Sequence, residues 1–208
     1  MATILRDWSY QYPWLYQGIS STLALAVGGN ARLRELPLEG LPIAGDSRVL
    51  DCCCGRGEAT RFLVKYSQHV IGLDASPKAL AVARQAVPEA NYVEAFAQAM
   101  PFDNHTFDIV HISMALHELS LDSLQAALSE IYRVLKPQGI LTLVDFHAPR
   151  ISVMWPGMAL FLWLFETETA WAFLNDNLIQ RLNTIGFGSC IQTWYVGGSL
   201  QRIQAHKA

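Results

Sequence analysis

From Arg48 onward the chain alternates short apolar runs with amphipathic stretches. Val49-Leu50 leads into Asp51 and a string of small residues from Cys52 to Gly57, after which Phe62, Leu63 and Tyr66 share one side of a helix. The pattern predicts a strand over Arg48 to Cys52, a tight loop, and a helix near Ala59 to Tyr66. His69 to Asp74 predicts a second strand, closed by an acid. Ser76-Pro77 then opens a helix that runs to Ala86 with Leu80 and Ala83 inward, because serine suits the N-cap and proline the first turn. Asn91 to Ala95 predicts a third strand and Asp103-Asn104 a turn. Phe107 to Ser113 predicts a fourth strand, apolar on both faces as a central parallel strand should be.

Past Ser120, Leu124, Leu128, Ile131 and Leu135 recur at intervals of four, three and four, the stripe of an amphipathic helix. Pro137 and Gly139 end it. Ile140 to Phe146 predicts strand five. Strand six is expected near Ser189 to Val196 and strand seven near Leu200 to Ala205, with Gly197-Gly198 as the turn between them. Strand–helix units followed by a hairpin predict an α/β fold. Its sheet is Rossmann-like and mostly parallel, with seven strands, helices on both faces and an antiparallel C-terminal hairpin.

Two segments stand outside that rhythm. Residues 1–45 form an N-terminal cap segment, with Trp8, Tyr10, Tyr12, Trp14 and Tyr16 crowded together and an apolar, helix-like run from Ile19 to Val27. The domain proper spans 46–208. Within it, 148–180 reads as an apolar insertion, because Ile151 to Phe165 carries no charge. That run falls short of the roughly 20 apolar residues a spanning helix needs. Three readings stay open: a lid over an apolar substrate, a helix lying in a membrane surface, or a buried core helix.

The chain has 208 residues, 51% of them hydrophobic and 16% charged, which fits one domain with a large core. A net charge of -3 argues against general nucleic-acid binding, which needs clustered Lys and Arg. Met1 to Arg6 lacks the basic-then-apolar form of a signal peptide. Three of the four cysteines are adjacent, a poor disulfide framework, so a reducing, cytoplasmic setting is expected, with membrane association left open. Adjacent thiols also lack the spacing of tetrahedral metal ligands, so no metal is expected.

The loop from Cys52 to Gly57 lets a ligand approach the backbone, since nothing larger than a thiol projects between Cys52 and Gly55. Asp74 lies about 20 residues on, where an acid accepts hydrogen bonds from a ribose. Together they point to a nucleoside cofactor.

V-L-D-C-C-C-G-R-G resembles the first motif of the class I S-adenosylmethionine-dependent methyltransferases. Ala97 to Phe102 with Thr106 to Val110, Tyr132 to Gly139, and Ile185 to Phe187 resemble that family's later motifs in order. The resemblance covers most of residues 48–204 and is nearest the ubiquinone and menaquinone C-methyltransferase branch. It implies S-adenosylmethionine as cofactor and a small, lipophilic acceptor, of prenylated quinol or phenol type. It also implies that Cys52, Cys53, Gly55 and Gly57 pass the methionine moiety, with Asp51 helping to hold its amino group. By the same resemblance Asp74 takes the ribose hydroxyls, Ala75 touches the adenine, and Ala97 and Gln98 border it. Ser113 and Met114 lie along the cofactor, and N-terminal helices close the pocket, with Tyr12 or Tyr16 as a cap.

Two positions depart from the family. Cys53 stands at the usual first glycine, and a cysteine held at positive φ there costs about 1–2 kcal/mol. Phe96 replaces an acid before the adenine contact. Candidate bases sit at the carboxyl ends of strands four and five, where ligands bind in open α/β sheets: His117 and Glu118 after the fourth, Asp145 and His147 at the fifth. His117 is the natural choice near neutral pH. His111, inside a strand, is expected to be a satisfied core histidine. Two rivals remain: a non-enzymatic cofactor binder with a decayed site, and a nicotinamide-dependent oxidoreductase, which would lack the terminal hairpin.

Overall fold

The computed structural model describes residues 24, 25 and 27–208. The aromatic cluster of residues 8–16, with Tyr12 and Tyr16, and most of the Ile19 to Val27 run lie outside the described residues. Seven strands form one sheet: β1 (Arg48–Cys52), β2 (His69–Asp74), β3 (Asn91–Glu94), β4 (Phe107–Ser113), β5 (Leu135–Phe146), β6 (Phe187–Tyr195) and β7 (Leu200–Lys207). Their order is β3-β2-β1-β4-β5-β7-β6. β1 to β5 pair in parallel, and β7 runs antiparallel to both β5 and β6.

The helices are α1 (Asn30–Glu35), α2 (Thr60–Leu63), α3 (Pro77–Ala86), α4 (Leu121–Val134), α5 (Trp155–Phe165), α6 (Glu168–Leu174) and α7 (Leu178–Ile185). Ser76 caps α3 by accepting the Ala79 N–H, and Ser120 caps α4 by accepting that of Ser123. The α4 stripe buries Leu124, Ala127, Leu128, Ile131 and Val134 against Phe107, Val110, Leu141 and Leu143 of the central strands. Arg133, at the end of α4, donates to the carbonyls of Met100 and Phe102 and pairs with Glu130, which accepts the Met100 N–H. One arginine thus fixes the whole connection into β4.

A polar row crosses the sheet. Asp51, His111, Thr142 and Gln204 are register partners on β1, β4, β5 and β7. Thr142 Oγ1 and Gln204 Nε2 both donate to the Pro37 carbonyl. Leu36, Pro37 and Leu38, one turn of 3-10 helix after α1, are buried. The chain before β1 is thereby strapped over β5 and β7, and α1 is held at the carboxyl ends of the strands. Residues 148–180 leave the sheet and carry α5 and α6, and α6 packs over the turn Leu116–Glu118 that follows β4. No helix among the described residues is long and apolar enough to cross a membrane.

Candidate active site

β1 ends and the backbone turns sharply. Cys53 has φ 57° and Gly55 φ 54°, both left-handed. The Cys54 N–H donates to the Leu73 carbonyl, so the loop lies against the end of β2. Gly57 has φ 80°, and a Cβ there would meet Ala83 of α3 at 3.4 Å. The loop lies close to α3, and the left-handed φ at Gly57 is what calls for glycine.

Asp74 organises the loop from the other side. Its Oδ2 accepts the Gly55 N–H at 2.8 Å and its Oδ1 the Ser76 N–H at 2.9 Å. A carboxylate has about four lone-pair sites, so each oxygen keeps one for a further donor, as a ribose diol requires. Ala75 beside it is exposed, Gln98 half-buried and Ala97 buried. A half-buried carboxylate with acceptor capacity beside a loop of left-handed backbone fits a nucleoside cofactor.

Asp51 faces the other way. It is 1% exposed and accepts from Thr60 Oγ1 at 2.6 Å and His111 Nδ1 at 2.8 Å. Its carboxylate braces the loop from within. His111 is only half as expected: it is buried and bonded through Nδ1, but Nε2 has no hydrogen-bond partner among the described residues. Burial and the charges of Asp51 and Asp74 push the Cys54 thiol well up, and a hydrogen bond with Cys53 together with burial does the same for Cys52. Those two thiols stay protonated near neutral pH. Among the described residues no group of three or more His, Cys, Asp or Glu could hold a metal ion.

Ser113 and Met114 leave β4 toward the same cleft. Met114 has φ 53°, and its N–H donates to the Val144 carbonyl. Ser113 Oγ accepts from Arg34 Nη1 at 3.1 Å, while Arg34 Nη2 pairs with Glu58 of the glycine loop at 2.5 Å. Arg34 thus ties α1 to both sides of the cleft. Sequence reasoning missed it, because a single arginine in a short polar helix carries no local signal.

Beyond Met114 lies a second apolar cluster. Phe146, Phe161, Met158, Leu162 and Trp171 pack together with Met114, and the Phe161 and Phe165 rings lie 5.6 Å apart. Against this apolar wall sits His117, 3% exposed, its ring 4.5 Å from that of Phe146. His117 Nδ1 lies 2.6 Å from Asp145 Oδ1. Asp145 also accepts the N–H groups of Leu116, Ala115 and Phe146. On the far side, His117 Nε2 is 3.7 Å from Glu166 Oε2. Burial opposes the imidazolium, but the Asp145 carboxylate and its hydrogen bond, with the charges of Glu166 and Glu118, outweigh it and raise the pKa to about 9. His117 is therefore a cation at neutral pH.

The other two candidate bases lie apart. Glu118 is exposed on the same turn. His147 contacts the carbonyls of Ala148 at 2.7 Å and Gly198 at 3.0 Å through Nδ1, and its ring faces Trp194. Glu166 was not singled out from sequence. Its one signal is that it is the first charge after the uncharged run from Ile151 to Phe165.

The methyltransferase-domain family matches residues 49–139, from β1 into β5. An uncharacterized methyltransferase of Synechocystis is 51% identical over 99% of this chain and 97% of its own length. The chain belongs to the class I S-adenosylmethionine-dependent methyltransferases. It is an enzyme, and its cofactor is S-adenosylmethionine. A demethylmenaquinone methyltransferase of Lactiplantibacillus plantarum is 34% identical over 64% of this methyltransferase and 63% of its own length. A solved S-adenosylmethionine-dependent methyltransferase of Mesorhizobium loti shares the fold, with TM-score 0.64 at 20% identity over 88% of this chain and all of that one. The binder and oxidoreductase readings are set aside by these relationships.

Proposed function

We propose that this methyltransferase acts on a small lipophilic acceptor bearing a hydroxyl, of the prenylated quinol or phenol type. The observation that supports the reading is the largely aromatic cluster beside Met114. Phe146, which packs with the cluster that includes Phe161 and Trp171, lies against one group of charges, His117 with Asp145 and Glu166. Binding sites for small molecules pair apolar walls with a few placed polar groups. The quinone-methylating relatives support it, though several match over only about half to two thirds of their length.

S-adenosylmethionine brings a methyl group already activated on a sulfonium sulfur, so the protein's part is chiefly alignment. In this reading Asp74 takes the ribose hydroxyls and the backbone from Cys52 to Gly57 lines the methionine moiety. Ala75, Ala97 and Gln98 border the adenine. Asp51 acts through the loop it braces, together with Thr60 and His111. Ser113 and Met114 lie between cofactor and acceptor, and His117 meets the acceptor hydroxyl. Glu118 influences His117 by charge alone, and His147 is committed to its carbonyl partners.

The exterior of the α5 region supports a second element of the proposal, contact with the lipid surface that would hold such an acceptor. Ile151, Val153, Leu160 and Trp163 are exposed there, beside the cation of Arg150. Incubating the protein and methyl-labelled cofactor with a cell lipid extract, then identifying the product, tests the acceptor. Label in a prenylated phenol or quinol is expected, whereas label confined to water-soluble metabolites refutes it. Liposome flotation tests the surface contact, and protein that stays at the bottom of the gradient refutes that part.

A further inference from the structure

Resting on the cofactor placement above, with the ribose on Asp74, we propose that Arg34 binds the α-carboxylate of the cofactor's methionine moiety. The register of the central strands gives the direction in which the cofactor runs. Cys52 of β1 pairs with Leu73 of β2 on one side and with Ile112 of β4 on the other. Asp74 and Ser113 are the next residues on those two strands, so they stand level across the end of β1. Two strand spacings separate their backbones, roughly 10 Å. The adenine is taken on the β3 side, by Ala75, Ala97 and Gln98, so the amino-acid tail runs from Asp74 over β1 toward Ser113. A methylene, a sulfur and an aminobutyrate chain reach that far, and the tail ends in an ammonium and a carboxylate.

Arg34 stands where the tail ends. Its Nη1 donates to Ser113 Oγ at 3.1 Å and its Nη2 to Glu58 Oε2 at 2.5 Å. Those bonds leave further N–H donors in a planar fork whose shape matches a carboxylate. A carboxylate drawn out of water needs such a partner. The arginine is held in position by its surroundings. Its side chain is only 19% exposed, and Leu33 beside it is buried. The Leu36 and Pro37 carbonyls that follow accept from Arg202, Thr142 and Gln204. A donor fixed in advance loses little freedom when its ligand arrives. Glu58 is different, because its side chain is 47% exposed. An ion pair so open to water is weak, so a second carboxylate can share the guanidinium with Glu58 or displace it.

The test compares S-adenosylmethionine with its decarboxylated form, which keeps the sulfonium and the ammonium and lacks only the carboxylate. Calorimetry on the wild type should show the full cofactor binding about 10- to 100-fold tighter, the range for hydrogen bonds to charged groups. R34M keeps an unbranched apolar stem. It should bind the two ligands alike, with affinity for the decarboxylated form unchanged. R34K keeps the charge without the fork and should retain part of the preference. Glu58 is exposed, so E58Q should leave the fold intact, and it should widen the preference by removing a competing carboxylate.

Equal binding of the two ligands by the wild type overturns the proposal. So does R34M weakening both by the same factor, which would leave Arg34 as a fastener of α1. A preference that R34M keeps but R56M abolishes gives the carboxylate to Arg56, exposed on the loop. Should R34M fail to fold, a preference that narrows in E58Q overturns the proposal without it. D74N separates the two claims. Where it weakens both ligands, the cofactor lies as proposed and a failed R34M test removes Arg34 alone. Where it changes neither, the placement fails and the role of Arg34 with it.

Discussion

Cys53 is one residue at which the sequence and the backbone conflict. The loop needs φ 57° there, and an L-residue with a Cβ is strained by about 1–2 kcal/mol in that conformation. Glycine relieves the strain but adds roughly 0.5–1 kcal/mol of chain entropy to the unfolded state. C53G is therefore expected to raise the urea midpoint modestly, by about 0.5–1 kcal/mol of stability, with cofactor affinity retained. A lower midpoint would mean that the thiol's packing against the core outweighs its backbone cost. Asp74 is different in kind, because it serves the loop and the proposed ribose contact at once. D74N keeps the shape but turns an NH2 group toward the N–H of Gly55 or Ser76. Hydrogen bonds to a charged group contribute about 1.5–3 kcal/mol, so calorimetry should show cofactor affinity down at least 10-fold. Unchanged affinity would remove Asp74 from the cofactor site. Both residues could be singled out in the sequence, because a short loop fixes their neighbours. His117 could be named but not its state. The partners that raise its pKa come from β5 and from the end of α5, far along the chain.

At the scale of elements, legibility followed pattern. β1, β2, β4 and α3 have the bounds their sequence implies, since apolar runs and caps mark both ends. β5 begins at Leu135, earlier than expected, because backbone pairing carries the chain through Pro137 and Gly139 with a register shift beside Phe107 and Ile109. α1, α6 and α7 gave no signal, being short and only partly apolar. α5 was seen as apolar, but its orientation was not, because a helix apolar on every side has no stripe to read. The structure supplies it: Leu162 is fully buried and Met158 nearly so, while Leu160 and Trp163 face out. Two neighbouring substitutions separate packing from surface. L162A should cost about 2–5 kcal/mol, as buried leucine truncations do. W163S should change stability by about 0.5 kcal/mol or less yet weaken liposome flotation. Equal stability losses in the two variants would mean that α5 packs with the opposite face inward.

Across the whole molecule, charge buried at one point ties the apolar insertion to the sheet, and this makes stability depend on pH. His117 is the cation between Asp145 on β5 and Glu166 at the end of α5. Unfolded, it returns to an ordinary histidine value near 6.5; folded, its pKa is about 9. A folded pKa above the unfolded one means that the native state holds the proton more tightly. The stabilisation is complete below about pH 6.5 and is lost as pH climbs through 9. Its size is on the order of 3 kcal/mol, a large share of the 5–15 kcal/mol that holds a domain folded. Urea midpoints taken at pH 6, 7.5 and 9.5 should therefore fall steadily. H117Q should be less stable at pH 6, because Asp145 loses its buried partner, but it should lack most of that slope. The strap of Leu36 to Leu38 separates this effect from a general loosening. It is held to β5 and β7 by the neutral donors Thr142 and Gln204, with Arg202 of β7 also donating to the Leu36 carbonyl, and no histidine takes part in these contacts. Hydrogen exchange at pH 9.5 should thus show α5 and α6 opening first, with the N–H groups of β5 and β7 still protected. Early exchange in β5 and β7 would place the pH-sensitive contact elsewhere in the molecule.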